Sequence, residues 1–206
     1  MGIFFDKPQV STLDTRTLED PSAFQEAFQQ VSLSRQAKVH NCRFPEDKRL
    51  LLGAGLLLQQ GLNALQIRNT EISYTLLGKP YLSACKDLHF NLSHSGHFAV
   101  CAIYHKEVGI DVQKIAPVPD ALIRKIATEE EASALLQLPQ EEREKAFAKL
   151  WTIKESYLKY IGRGILVSPK RLSLQDNQLL FDGKPANVTL ETTYLPGHVM
   201  TLCYLL

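Results

Sequence analysis

The segment FAKLWTIKESYLKYIGRG, residues 147–164, combines a helical pattern with charges inside its apolar part. Apolar residues recur at spacings of three and four from residue 147 to residue 161, which is typical of a helix that packs on a core. Gly162 and Gly164 follow as a helix stop. The segment therefore predicts the end of a long helix, placed at residues 140–161, with one face buried.

Three residues of this segment are spaced so that they lie on one line along the helix. Trp151, Glu155 and Lys159 stand at i, i+4 and i+8, with Glu155 beside the apolar face. Glu155 and Lys159 are either a surface ion pair that contributes about 0.2–0.5 kcal/mol of helix stability, or groups with a chemical task. We expect Trp151 to anchor the helix in the core. The remainder of the sequence has to decide between the two interpretations of the charged pair.

The composition is that of an ordinary globular protein. The chain has 206 residues, 45% of them hydrophobic and 22% charged, and a formal net charge of +1. This balance gives no reason to expect nucleic acid or a membrane surface as a partner. The opening MGIFFDKPQV has neither a basic start nor a long apolar run, so we expect no signal peptide and no membrane span.

The four cysteines are scattered along the chain and form no C-x-x-C pair that would indicate zinc or a redox motif. We expect them to be small buried hydrophobic residues in a reducing cytoplasm. They are Cys42, Cys85, Cys101 and Cys203.

Helical and β-like patterns alternate in blocks along the chain. After a polar opening, helices are predicted near residues 20–39, 48–62, 119–138 and 140–161, and strands near residues 72–77, 88–92 and 98–104. The C-terminal part is β-like and is broken at Asp176–Asn177, Asp182–Gly183 and Pro196–Gly197. Helices followed by strands, twice over, predict an α+β fold with two halves, residues 1–107 and 108–206.

The stretch VGIDVQ, residues 108–113, reads as a strand that we expect to pair with residues 98–104 across a short turn. Asp111 and Gln113 would then present oxygen atoms from one strand face, with Gly109 leaving room for a ligand. Asp111 is either a polar residue on the wet face of a half-buried sheet or, together with Glu155, a ligand of a hard divalent cation such as Mg²⁺.

The stretch HFNLSHSGHF, residues 89–98, reads as a strand that breaks into a turn at residues 93–96. The backbone N–H groups of such a turn form an anion-binding nest, and His94 offers a hydrogen-bonding tip for a phosphate. Lys79, Arg43 and Arg49 are further basic residues nearby in the sequence, although any one of them alone is most often solvated surface.

Four motifs in order, GKPYL, FNLSHSG, GIDVQK and W-x-x-KES-x-x-K, span residues 78–159, and the looser R-x-L-L-G at residues 49–53 extends the set. This set resembles the signature of the 4′-phosphopantetheinyl transferases, in particular the monomeric type that activates peptide synthetases. The resemblance implies a pseudo-two-fold pair of similar α+β halves with the active site in the cleft between them. It also implies a monomeric cytoplasmic enzyme that transfers phosphopantetheine from coenzyme A to a serine of an apo acyl or peptidyl carrier protein.

The resemblance also assigns roles to residues. Asp111 and Glu155 match the magnesium carboxylates, Glu155 or a nearby water is the candidate base for the carrier serine, and Lys159 matches the lysine that contacts the phosphate. Coenzyme A contacts are further expected from Arg35, Lys38, Arg43, Arg49, Lys79, Pro80, Asn91, Ser93, His94, Asp111, Lys154 and Lys159. The N-terminal half would thus supply the phosphate contacts, and the C-terminal half the metal and catalytic groups.

One position departs from the family pattern. Many relatives carry a second acid two residues after the motif aspartate, where this chain has Gln113. An amide oxygen can still ligate Mg²⁺ but adds no charge. Two other interpretations therefore stay open: a non-catalytic module that binds coenzyme A or a carrier protein, and an unrelated magnesium-dependent enzyme acting on phosphates. The pathway served, in fatty-acid, polyketide or nonribosomal peptide synthesis, is left open by the sequence.

Overall fold

A computed structural model describes residues 5–176 and 178–206 of the chain. The chain divides into two compact units, a first unit that ends at Val108 and a second unit of Gly109–Leu206. Each unit combines helices with an antiparallel sheet. Within the described residues, no helix is both long enough and apolar enough to cross a membrane.

The first unit consists of a three-stranded sheet, three helices and a small hairpin. Its elements are β1 (Gln9–Asp14), α1 (Pro21–Gln30), α2 (Leu33–Asn41), α3 (Pro45–Ala64), β2 (Ile72–Tyr74), β3 (Pro80–Leu82), β4 (His89–Ser95) and β5 (Phe98–Tyr104). The sheet has the order β1-β5-β4, and β2 pairs with β3 separately. Leucines of α3, among them Leu57 and Leu58, pack on Ala99 and Ile103 of β5 and form the core.

The second unit has the same kind of components. Its elements are β6 (Val108–Lys114), α4 (Asp120–Ile126), α5 (Glu129–Leu136), α6 (Gln140–Tyr160), β7 (Leu172–Gln175), β8 (Gln178–Phe181), β9 (Lys184–Pro185), β10 (Thr189–Leu195) and β11 (His198–Tyr204). One sheet has the order β10-β11-β6 and a smaller one the order β7-β8-β9. The long helix α6 packs on β11. Its residues Ile153 and Leu158 belong to the same core cluster as Cys203 of β11.

The two units repeat one framework. In each, a strand is followed by three helices and an antiparallel hairpin, and the first strand lies beside the last. A matching hydrogen bond ends each first strand: the Thr15 amide donates to the His97 carbonyl at 2.8 Å, and the Ile115 amide donates to the Gly197 carbonyl at 2.9 Å. The predicted α+β fold of two similar halves is confirmed, although no repeat is evident from the sequence.

The predicted pairing of β6 with β5 is wrong. β6 does not pair with β5 but lies beside β11, while β5 pairs with β1 and β4. The reason is that β1, near the start of the chain, takes the place beside β5. This stretch was predicted only as a polar opening, without a strand. Strand pairing joins residues distant in sequence, so a local pattern does not determine the partner.

Helix and turn boundaries differ from the predicted ones where a polar residue caps a helix or a strand continues. The region 20–39 holds two helices, because Ser32 caps α2 through the Arg35 amide, and the region 119–138 divides at Thr128, which caps α5. Residues 93–95 remain in β4, and the turn is Gly96–His97, with Gly96 at φ +59°. Of the predicted breaks in the C-terminal part, Asn177 lies outside the described residues.

Candidate active site

Strand β6 and helix α6 approach each other most closely at Gly109. A Cβ atom at this position would lie 2.0 Å from the carbonyl oxygen of Ser156 and 2.5 Å from the amide nitrogen of Tyr160. Both are backbone atoms and cannot rotate away, so only glycine allows this approach. The space predicted for a ligand beside Gly109 is therefore occupied by the backbone of α6.

The crossing brings Asp111 of β6 to Lys159 of α6. The Lys159 ammonium donates to Asp111 Oδ1 at 2.6 Å and to the Ile110 carbonyl at 3.1 Å. Asp111 is only 5% exposed, because β6 is buried on both faces from residue 108 to residue 112. The wet-face interpretation of Asp111 is therefore wrong.

Glu155 lies one turn before Lys159 and is half-buried. Burial raises the pKa of its carboxyl, the negative charge of Asp111 raises it further, and Lys159 opposes both. Among the described residues, Lys159 forms its ion pair with Asp111 and forms none with Glu155. The surface-pair interpretation is therefore wrong, and the two carboxylates influence each other electrostatically.

These groups fit a divalent cation. The negative charge of Asp111 raises the pKa of Glu155. A hard cation would offset this repulsion, and both carboxylates offer the oxygen ligands that it prefers. Gln113, next but one to Asp111 on β6, is half-buried and adds an amide oxygen of neutral charge. In the described part of the chain no three His, Cys, Asp or Glu side chains gather as a metal site. A cation held here would take water or phosphate oxygens for its other positions, as Mg²⁺ usually does.

Lys154, the neighbour of Glu155, has a different environment. Its ammonium is fully buried, donates to Glu131 Oε2 at 2.5 Å and donates to the Ile126 carbonyl at 3.2 Å. The Glu131 carboxylate also accepts hydrogen bonds from the backbone amides of Thr128 and Leu174, both at 2.9 Å. Burial lowers the pKa of Lys154, and Glu131 opposes that shift.

The expected contact of Lys154 with coenzyme A therefore receives no support from this geometry. Lys154 joins the end of α4, the start of α5 and β7 to α6 instead. Glu131 is not among the residues predicted from the sequence, although the spacing of Thr128 and Glu131 is the capping-box signature that the structure contains.

In the first unit, α2 presents two cations to one edge of the β2–β3 hairpin. Burial lowers the pKa of the Arg35 guanidinium, with Tyr74 opposing, and no carboxylate of the described residues pairs with it. Lys38 donates to the Tyr74 hydroxyl at 2.6 Å and lies 5.0 Å from its ring centre. A partly desolvated guanidinium of this kind is stabilised by an anionic ligand.

The other basic residues expected at this site have partners in the first unit. Arg49 lies 3.4 Å from a Glu19 carboxylate oxygen, and Arg43 lies over the ring of Phe44 at 5.4 Å. Lys79 forms an ion pair with Glu107, which the sequence analysis did not single out.

The remaining expected contacts lie on strands β3 and β4. Pro80 begins β3 and pairs with Tyr74. Asn91 and Ser93 are buried within β4, whereas His94 is exposed on the same strand. His94 is thus accessible to a ligand, and Asn91 and Ser93 are not at the surface.

Comparison with known proteins covers both units. The family described as "4'-phosphopantetheinyl transferase superfamily" matches residues 107–203. The family described as "4'-phosphopantetheinyl transferase, N-terminal" matches residues 19–106. The two matches together run from residue 19 to residue 203.

Individual relatives are similar over most of their length. A 4'-phosphopantetheinyl transferase of Bacillus subtilis is 30% identical over 167 residues, 80% of this chain and 70% of the relative. The transferase Sfp of Bacillus subtilis strain 168 is 28% identical over 203 residues, 97% of this chain and 84% of the relative. The transferase HetI of Nostoc is 34% identical over 158 residues, 72% of this chain and 67% of the relative.

Proposed function

The chain belongs to the 4′-phosphopantetheinyl transferase superfamily, and we propose that it transfers the 4′-phosphopantetheine group of coenzyme A to a serine hydroxyl of an apo carrier protein. The serine oxygen forms a bond to the phosphorus next to pantetheine, the phosphoanhydride bond breaks, and adenosine 3′,5′-bisphosphate leaves. The observation that carries the proposal is the group of Asp111, Glu155 and Lys159 at the crossing of β6 and α6.

We assign the metal ligands to Asp111 and Glu155, with Gln113 as a neutral third. Mg²⁺ bound there would neutralise charge on the pyrophosphate of coenzyme A. Lys159 keeps its ammonium within 2.6 Å of Asp111. From that position it would offset negative charge on the departing bisphosphate.

Glu155 is also the proposed proton acceptor, directly or through a water. A serine hydroxyl is a weak nucleophile until its proton is removed. From its half-buried position near Asp111, Glu155 would take this proton itself or through the water.

The proposed donor contacts come from the first unit. Arg35 and Lys38 on α2, Lys79 before β3, and His94 on β4 are the cationic or hydrogen-bonding groups suited to the phosphates of coenzyme A. Arg43 and Arg49 are assigned to the same role. We propose that the enzyme acts as a cytoplasmic monomer.

Mass spectrometry tests the proposal directly. The protein is incubated with several apo carrier proteins, coenzyme A and Mg²⁺, and each carrier is examined for the added phosphopantetheine arm. A parallel reaction with EDTA measures metal dependence. Addition to at least one carrier, abolished by EDTA, is the expected result, while binding of coenzyme A without any addition would identify a non-catalytic module instead.

A further inference from the structure

Glu107 lies between β5 and β6 and contacts two basic residues through its two carboxylate oxygens. Glu107 Oε2 forms an ion pair with the ammonium of Lys79, and Glu107 Oε1 lies 3.2 Å from Nδ1 of His89. The same ammonium also lies 3.4 Å from the carbonyl of Val108. One carboxylate thus joins the residue before β3 to the first residue of β4, and the ammonium that it holds also meets the carbonyl of Val108, the last residue of the first unit.

The cluster of Lys79, His89 and Glu107 is partly enclosed. The Lys79 side chain is 11% exposed and that of His89 is 28% exposed, although the Glu107 side chain is half exposed. Burial opposes ionisation of Glu107, but hydrogen bonds from His89 and Lys79 outweigh it and lower the pKa of this carboxyl to about 2. Glu107 is therefore an anion near neutral pH.

The partners hold a long and otherwise mobile side chain in one place. A free lysine samples many rotamers, and ordering it costs conformational entropy. Because Glu107 and the Val108 carbonyl order Lys79 in the folded protein, a ligand that meets its ammonium does not bear that cost on binding. The turn before Lys79 is itself fixed, since the Gly78 amide donates to the Thr75 carbonyl at 2.9 Å.

We propose that Glu107 is a positioning residue for the donor substrate, because it holds Lys79 where the ammonium meets a phosphate of coenzyme A. This inference rests on the proposed function, in which Lys79 contacts the donor. Glu107 itself touches neither the donor nor the reacting atoms, so its effect on binding passes through Lys79.

A double-mutant cycle on the binding of coenzyme A tests this. Binding is measured by isothermal titration calorimetry without a carrier protein, for the wild type, Glu107→Gln, Lys79→Ala and the double variant. We expect Glu107→Gln to raise the Kd by about tenfold, since preorganisation is lost, and to add no further increase in the Lys79→Ala background. Asp87→Asn, an exposed acid two residues before His89, is the matched control and should leave the Kd unchanged.

The alternatives are separable. Unchanged or tighter binding in Glu107→Gln, or the same weakening with and without Lys79, would overturn the positioning role. A wild-type protein that does not bind coenzyme A would overturn the proposed function first. Circular dichroism and thermal unfolding of each variant establish that it is folded, and Glu107→Asp, which keeps the charge on a shorter side chain, should recover part of the affinity.

Discussion

At the scale of single residues, the candidate site contains two carboxylates that the fold shields partly or almost fully from water. Asp111 is almost fully buried and Glu155 is half-buried, and the charge of Asp111 raises the pKa of Glu155. Such an arrangement costs stability unless a cation is present, which is common at sites that bind a metal or transfer a proton. Lys159 supplies only part of the compensation, because its ammonium contacts Asp111.

Replacing Glu155 tests its two proposed roles together. We expect Glu155→Gln to lower kcat by at least about a hundredfold, because general base catalysis typically contributes 10²–10⁴-fold. Additional Mg²⁺ should not restore the rate. Transfer to an apo carrier is measured against Mg²⁺ concentration, and a variant as active as the wild type would exclude the mechanism.

Gln113 has a separable effect, because it would contribute a neutral oxygen that water can replace. Gln113→Ala should raise the Mg²⁺ concentration needed for half-maximal rate and leave the maximal rate nearly unchanged. Gln113→Glu should lower that concentration, since it adds a negative charge beside the cation. Equal Mg²⁺ requirements in all three proteins would show that position 113 does not contact the metal.

At the scale of elements, the crossing of β6 and α6 determines how the site forms. Asp111 belongs to the strand, whereas Glu155 and Lys159 belong to the helix. The distance between Asp111 and the other two side chains therefore depends on how closely the backbones of β6 and α6 approach each other. Gly109 permits the contact, and the buried pair of Lys154 and Glu131 fastens the same helix to α4, α5 and β7.

Gly109→Ala should damage both stability and activity. The added methyl group meets the Ser156 carbonyl and the Tyr160 amide, so β6 and α6 must move apart, at a cost of about 1–3 kcal/mol or more. Urea unfolding and transfer assays measure the two effects. Gly61→Ala is the control, because its Cβ meets chiefly the flexible end of Ile103. Similar losses in both variants would argue against a special role for position 109.

Lys154→Met should destabilise the second unit without altering the donor site. The substitution leaves the Glu131 carboxylate without its buried cation, and breaking such a pair costs about 3–5 kcal/mol. Adding Glu131→Gln should restore part of this loss, since the uncompensated charge is removed. Urea unfolding measures the free energies. A coenzyme A affinity that falls in folded Lys154→Met protein would show that Lys154 does contact the donor.

At the scale of the whole molecule, local sequence patterns predicted many of the helices and strands, but they did not predict which strands lie beside each other in the sheets. The long helices α3 and α6 and the strand β5 follow from periodicity, and the family motifs lead to Asp111, Glu155 and Lys159. The membership of β6 in the second sheet does not follow, because it depends on strands nearly a hundred residues away. The burial of Lys154 likewise depends on its ion pair with Glu131. This contact forms only when helices α5 and α6 pack together, so a local pattern does not predict it.

The matching hydrogen bonds of Thr15 and Ile115 have a consequence for tolerance to substitution. Counting back four residues from each bond makes Ser11 of β1 the counterpart of Asp111 of β6, and counting back six makes Gln9 the counterpart of Gly109. A saturation library selected for transfer activity should therefore accept most residues at 9 and 11 and very few at 109 and 111. Equal intolerance at both pairs would mean that the scaffold, and not the chemistry, restricts these positions. The expected result would mean that one architecture is present twice and that catalysis restricts the residues of only one of the two copies.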